Sequence, residues 1–430
     1  MLGQPDGWRS TVVYGLAHLG KSLFWYAGEI LFAFYLTEQI GLPAAQMGVV
    51  LGLGLIVSAG IDVIIATRFR RTLANARASG RLQFFGSILC ALAFLGVFLG
   101  FRIPEGFGFG YALAAGLAFR VAFAVFDLPQ NALMALATSD SASRDRVAST
   151  RIWFSGVAIL IVALAVGPLV AEPDSPAGAM RFLALALCVG VPAIVGAAAL
   201  ARAVSHGDLP EAAESGARLD LPHFPRIPAL FWLLIALMVV TSLATPIFSK
   251  LEPYFASFVI RSPLWGGVVI SAMALGIVLG QPAWAGLCRR HSRAKVMIGA
   301  AGAQIVALMC FWALPIEAGP GFAATAFVFG IGNGGVGMVL WGAFSEMVAR
   351  SATGHEGLFY ATFTATAKVT LGVGGLGLGA ALALIDYRGA ANASIVILMT
   401  TIPAAGAAAV VLIGMIWLVS ESRRPERAIV

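Results

Sequence analysis

Lys368 stands near the middle of an apolar stretch, from Gly357 to Ile385, that holds no other charged residue. If that stretch crosses a membrane its ammonium group lies at mid-bilayer depth. An ionisable group so placed faces a bundle interior or an aqueous cavity and pairs with another charge. Two carboxylates stand in comparable runs: Asp62, alone between Glu38 and Arg68, and Asp127, alone between Arg120 and Asp140. Isolated acids and a base at that depth are suited to reversible binding of ions and solutes. The five histidines include His18 near the first apolar run and four between runs, with no paired nucleophile or metal-ligand spacing. An enzyme is therefore not expected, and neither is a bound metal or organic cofactor.

Three further positions share one helix face: Lys21, Trp25 and Glu29, spaced four apart. Lys21 and Glu29 are two turns apart, roughly 12 Å, too far to pair with each other. Each requires a partner on another helix or a ligand between them, unless Lys21 snorkels to one water interface and Glu29 to the other. Ser58 precedes Asp62 by one turn and offers a second oxygen beside it. Asp62 is read either as the carboxylate that binds a driving cation or as a helix-end acid paired with Arg68 or Arg70. Asp127 is followed by Gln130 and Asn131 at the i+3 and i+4 spacings, a cluster suited to a polar, hydroxyl-bearing ligand; the alternative is a buried structural salt bridge. Arg151 opens a span and by itself reads as a topology anchor. Trp341 is either an interfacial belt residue or a stacking surface for a sugar ring.

The elements that must hold these groups are membrane spans. Of 430 residues, 59% are hydrophobic and only 11% charged, against about a quarter charged in an ordinary soluble domain. Apolar runs of about 20 residues, the length a spanning helix needs, recur along the whole chain. They predict twelve spans at roughly 12–37, 43–67, 82–101, 109–138, 151–171, 180–203, 228–259, 264–287, 296–315, 321–349, 357–386 and 392–419. Pro129 predicts a kink beside Asp127. Cys90, Cys188, Cys288 and Cys310 lie in apolar segments without pairing or ligand spacing and read as inert core thiols. The first apolar run is too long for a cleavable signal peptide and is expected to stay in the mature protein.

The formal charge of +7 does not indicate nucleic-acid binding, because the basic residues fall in short segments between spans. If the N-terminus is cytoplasmic, twenty basic residues fall in inner segments and four in outer ones (Arg102, Arg181, Arg261 and Arg388). That asymmetry predicts both termini inside. The longest polar interruption, His206 to Pro228, divides the chain into an N-terminal six-helix half (1–203), a central loop (204–227) and a C-terminal six-helix half (228–430). A basic loop follows the second span of each half, RFRRTLANARASGR from Arg68 and CRRHSRAK from Cys288, the echo expected of a duplicated carrier unit.

Five stretches in order then resemble one family. YGLAHLGKSLFWYAGEILFAFYLTEQIGLPAAQMG is similar to the first span and following turn of the glycoside-pentoside-hexuronide cation symporters, the melibiose-carrier branch of the major facilitator superfamily, including the pair Gly20 and Lys21. AGID at 59–62 resembles the second-span stretch of acids, FDLPQNAL the fourth-span aspartate-x-proline motif, and RDRVASTR the following loop that ends in a sugar-contacting arginine. Lys368 falls where the family has an eleventh-span lysine near the cation site. The resemblance implies an all-α fold of twelve transmembrane helices in two halves. It also implies substrate contacts at Asp127, Arg151 and Lys21, a cation-site carboxylate at Asp62, and a coupling role for Lys368.

Departures from the family pattern bear on specificity. Ser58 stands where sodium-coupled members have an aspartate, which favours H+ over Na+ as coupling ion. Ser22 replaces an acidic sugar contact, Asn131 stands where a stacking tryptophan is expected, and Glu29 is an addition without an assigned role. The acidic motif after the tenth span is degraded to FSEMVARSATGHEG. The expected protein is thus a cation-coupled symporter of a sugar, glycoside or related polar solute that works by alternating access. Its substrate residues are Lys21, Trp25, Asp127, Asn131, Arg151 and Trp341, and its coupling residues are Ser58, Asp62 and Lys368. Uptake of the cation by Asp62 is expected to free Lys368 from an ion pair and let substrate engage. A monomer in the bacterial inner membrane is expected, with a small-molecule substrate and membrane lipids as partners. The alternatives are a lysolipid carrier on the same fold and a non-transporting receptor or assembly factor.

Overall fold

The computed structural model describes residues 8–73, 75–104, 106–136, 141–170, 175–206, 227–351, 356–389 and 393–422. Twelve long helices run through them: α1 (Trp8–Phe34), α2 (Ala44–Arg68), α3 (Ala76–Val97), α4 (Gly108–Leu136), α5 (Ser141–Val170), α6 (Pro176–His206), α7 (Ala229–Tyr254), α8 (Pro263–Arg290), α9 (Arg293–Ala313), α10 (Gly319–Ser351), α11 (Glu356–Ala383) and α12 (Ala393–Ser422). No strand occurs among the described residues. An apolar chain in lipid must satisfy its backbone within each segment, and the helix does so without a partner strand. Eleven of the twelve contain a stretch long and apolar enough to cross a membrane; α1, of 27 residues, carries Arg9, Lys21 and Glu29 and is the exception by composition. Large side chains that point away from the bundle, such as Leu92, Leu187, Val195, Met309 and Trp312, are aliphatic or aromatic, as a lipid-facing surface requires.

Two compact units divide the chain. The first contains α1 to α6 together with the last nine residues of α11; the second contains α7 to α12 without those nine. In the first, α1 packs on α5 and α6, α3 on α4 and α6, and α2 on α4. In the second, α7 packs on α12, α9 on α10 and α12, and α8 on α10, so four of the five pairings recur six helices later. The echo reaches single residues. A π-helical turn, Tyr35–Gln39, extends α1, and another, Phe255–Val259, extends α7 at positions 220 residues later. Each turn leads into a residue with positive φ, Gly41 at 75° and Arg261 at 48°, and then into a proline, Pro43 or Pro263, that opens the next helix. Glycine adopts that backbone conformation freely, whereas for arginine it is strained.

Aromatic side chains fill each unit. Phe24, Phe94, Phe119 and Phe126 interlock in the first, with Tyr35, Phe98 and Phe182 beyond them. Phe248, Phe255, Phe311, Phe322 and Phe329 do the same in the second. In the second unit α8 and α10 cross at Gly276 and Gly330. A Cβ on Gly276 would run into the Phe327 carbonyl oxygen, and one on Gly330 into that of Met273, so only glycine permits the approach. α11 is tied in through Phe359 against Phe231 and Phe363 stacked on Phe344 at 3.9 Å.

Two expectations need correction. α5 begins at Ser141, ten residues before the expected span, so the stretch read as a loop is helical; arginine and alanine favour helix, and hydropathy marks only the part of a helix that meets lipid. Of the four cysteines only Cys90 is a core thiol; Cys188 and Cys310 are exposed on the surface of their helices and Cys288 is half-buried. α4 continues through Pro129 without a break. Most of the expected central loop, 207–226, lies outside the described residues.

Candidate functional site

Lys21 is buried in the middle of α1, and its Nζ lies 2.7 Å from Asp127 Oδ1 on α4 and donates to Asn131 Oδ1 at 2.8 Å. Asn131 Nδ2 donates in turn to Asp127 Oδ1 at 2.9 Å. The i, i+4 spacing of Asp127 and Asn131 puts both on one face, and Lys21 closes a three-membered polar cluster. The lysine side chain is 5% exposed and the aspartate 21%. One ammonium, one carboxylate and one amide offer both donors and acceptors at a partly accessible point, which is what ligand hydroxyls need.

A second polar line runs beside the first. His18, one turn before Ser22 on α1, bonds through Nε2 to Ser155 Oγ of α5 at 2.9 Å, and Ser22 Oγ meets the same hydroxyl at 3.2 Å. Tyr14, a turn earlier, donates from its hydroxyl to the backbone carbonyl of Gln130 at 3.2 Å. Arg151 lies one turn before Ser155, half-buried, and its NH1 donates to Met134 Sδ on α4 at 3.5 Å. A thioether is a weak acceptor, so the guanidinium has its strong hydrogen-bonding capacity available to a ligand. Arg151 thus meets α4 at Met134, one turn beyond Asn131, and lies ten residues inside α5 rather than at its start.

Two turns along α1 from Lys21, Glu29 Oε1 accepts from Arg120 NH2 of α4 at 2.7 Å; the two side chains are 12% and 4% exposed. The Arg120 guanidinium also lies over the rings of Trp25, at 5.5 Å, and Phe119, at 5.7 Å, and Trp25 packs on Phe123 at 5.7 Å. The lysine and glutamate of α1 thus each find a partner on α4, and Trp25 is engaged by Arg120 between the two pairs. By sequence alone Arg120 is only the boundary of an apolar run.

The remaining candidates sit elsewhere. Ser58 is buried on α2, and Asp62 is half-buried one turn further along; both lie outside the hydrogen bonds just described. Lys368 is buried at mid-length in α11, and Trp341 on α10 is half-exposed with its edge against Phe363 at 5.0 Å; both belong to the second unit. No group of three or more metal-ligating side chains occurs among the described residues.

Residues 13–420 match the profile of the MFS/sugar transport proteins. The chain belongs to that family. It is a multi-pass membrane transporter of the major facilitator fold, not an enzyme, and takes a small-molecule substrate. Among curated proteins it is 22% identical over 392 residues to a glucuronide carrier protein homolog of Escherichia coli (strain K12), covering 87% of this chain and 83% of the relative. It is also 24% identical over 170 residues to an uncharacterized symporter of Bacillus subtilis (strain 168); that match covers 39% of this chain and only 37% of the relative. Solved structures with the same fold include a bacterial homologue of the iron transporter ferroportin in an inward-facing state (TM-score 0.65, 15% identity, 97% of this chain and 99% of that one). The nucleoside transporter NupG is another (TM-score 0.63, 11% identity, 96% and 100%). At such identities these structures speak to fold alone.

Proposed function

We propose that the protein is a cation-coupled symporter, driven by H+ in preference to Na+, for a hydroxylated solute that carries an acidic group, such as a sugar acid or glycoside of one. The observation that carries this reading is the cluster of Lys21, Asp127 and Asn131 with Arg151 beside it, bonded only to a thioether. The cluster meets hydroxyls, and the arginine fork meets a carboxylate in the bidentate geometry it favours. The name of the Escherichia coli relative, a glucuronide carrier homolog, supports an acidic sugar. Trp341, half-exposed on α10, offers a stacking surface for a sugar ring. Ser58 and Asp62 supply a single carboxylate and a hydroxyl for the coupling ion, which suits a proton better than a sodium ion. Its uptake at Asp62 releases Lys368 for the next step. The two six-helix halves, 1–203 and 228–430, rock about the substrate in alternating access, with both termini cytoplasmic, in the inner membrane, as a monomer.

The test is thermal unfolding of the purified chain with glucuronate, methyl β-D-glucuronide, methyl β-D-glucoside and lysophosphatidylcholine, at two pH values, with and without Na+. A ligand of the folded state raises the melting temperature by mass action. Stabilisation by the glucuronides, weaker with the neutral glucoside and unaffected by Na+, is the expected pattern. A response to the lysolipid alone would replace the sugar reading with an amphiphile carrier. A response to none of them, together with a co-purifying partner protein, would point to a receptor or assembly factor.

A further inference from the structure

Glu252 lies two residues before the end of α7 and is 0% exposed. Among the described residues neither of its carboxylate oxygens has a hydrogen-bond partner, and no cation pairs with it. The surrounding charges are accounted for. On α7 itself Lys250, two residues back, points to another side of the helix and has other partners. α12 carries only Glu421, at its far end, and α8 carries Arg289 and Arg290 in its last turn. Glu346 of α10 is bound to Arg293 of α9 at 2.6 Å, and Lys295 lies in the first turn of α9. Near the end of α7, Arg261 donates to the Phe258 carbonyl oxygen, Tyr254 meets Tyr387 edge to face, Arg388 lies over Tyr387, and Asp386 accepts from the Gly389 amide. Lys368 of α11 has partners of its own, and Glu252 is not one of them.

A carboxylate taken out of water with neither counter-ion nor donor is sustained only as the neutral acid. The backbone around Glu252 is also built to move. Pro246 and Pro253 lack the N–H groups that would bond the carbonyls of Ser242 and Ser249, and a π-helical turn follows at Phe255–Val259. Helices bend at such places, so the end of α7 can open a path for water to a group that is now sealed.

We propose that Glu252 is a proton-binding site of the second unit. It holds a proton in this conformation and releases it when the end of α7 bends, so that one proton is taken from water at one stage of the cycle and returned to water at another. Its place in transport rests on the proton-linked reading above; its protonation does not. The experiment uses the full chain in lipid nanodiscs, with infrared difference spectroscopy in H2O and D2O at neutral pH. The deuterium-sensitive carbonyl stretch of a protonated acid should be present in the wild type, lost in Glu252→Gln and retained in Asp62→Asn. An identical band in wild type and Glu252→Gln, or none in either, overturns the proposal. The amide copies the neutral acid in shape and charge, so a Glu252→Gln protein that fails to fold overturns it as well. In proteoliposomes, pH-gradient-driven accumulation of methyl β-D-glucuronide should fall at least tenfold in Glu252→Gln, with counterflow exchange within twofold of wild type. Accumulation at the wild-type level would remove Glu252 from coupling. Absence of any gradient-driven accumulation by the wild type would instead sink the proton-symport reading, and the infrared result would still decide whether Glu252 holds a proton.

Discussion

The Glu29–Arg120 pair offers the sharpest test of the geometry inside the first unit. Its charges are 2.7 Å apart, with side chains 12% and 4% exposed. Removing one partner from such a pair strands the other, which typically costs about 3–5 kcal/mol, whereas removing both can be close to neutral. Glu29→Gln and Arg120→Met should therefore each destabilise the protein by about 3–5 kcal/mol, and the double variant should recover most of the loss. For a folding unit of roughly 200 residues this corresponds to a fall in Tm on the order of 10 °C for each single variant. The assay is a thermal melt of the four proteins in one detergent, closed as a double-mutant cycle so that the coupling term is isolated. Arg120 also covers Trp25 and Phe119, so Arg120→Met keeps an apolar body against those rings. Single variants that melt within about 1 °C of wild type, or a double variant no better than the worse single one, would refute the reasoning that the pair is desolvated and mutually dependent.

Other outcomes follow from the same geometry. Lys21→Met strands Asp127 and removes one cation from the polar cluster, so methyl β-D-glucuronide binding measured by calorimetry should weaken at least tenfold; retained affinity would place the substrate elsewhere. Arg151→Gln should abolish the preference for glucuronide over the neutral glucoside while leaving the protein folded, and Arg151→Lys should restore it only partly, because an ammonium lacks the planar fork. Asp62→Asn should end uphill accumulation but leave exchange measurable in proteoliposomes. Arg261→Gly relieves a left-handed backbone that costs an L residue roughly 1–2 kcal/mol, offset by loss of the bond to the Phe258 carbonyl oxygen; a small rise in Tm is expected. Gly330→Val should prevent α8 and α10 from closing and yield little folded protein on size-exclusion chromatography.

Hydropathy located the spans well because lipid contact and sequence apolarity are the same physical quantity. It failed at α5, whose first ten residues are helical without being apolar, and at the π-helical turns, which no composition marks. The site was legible in part. The i+4 spacing of Asp127 and Asn131 puts both on one face, and the distance from Lys21 to Glu29 requires a partner for Lys21 on another helix, but neither shows that the three bond to one another. Arg120 went unassigned, although a signal existed. Lys21 and Glu29 are eight apart and Arg120 and Asp127 seven, with the basic residue first in each, the pattern two antiparallel helices need for two opposed pairs. The His18, Ser22 and Ser155 hydroxyl line was missed because serine on a span is usually satisfied by its own backbone. By sequence Lys250 and Glu252 are the only charges between Arg226 and Arg261, but only packing shows that the carboxylate has found no hydrogen-bond partner.

The two ion pairs joining α1 to α4 have a mechanical consequence. Lys21 with Asp127 and Glu29 with Arg120 form rungs of opposite polarity along antiparallel helices. Sliding α1 by two turns one way brings Lys21 against Arg120, and sliding it the other way brings Glu29 against Asp127. Both displacements juxtapose like charges in a dry environment. The rungs therefore act as a register key, opposing a two-turn slip of α1 along α4 in either direction.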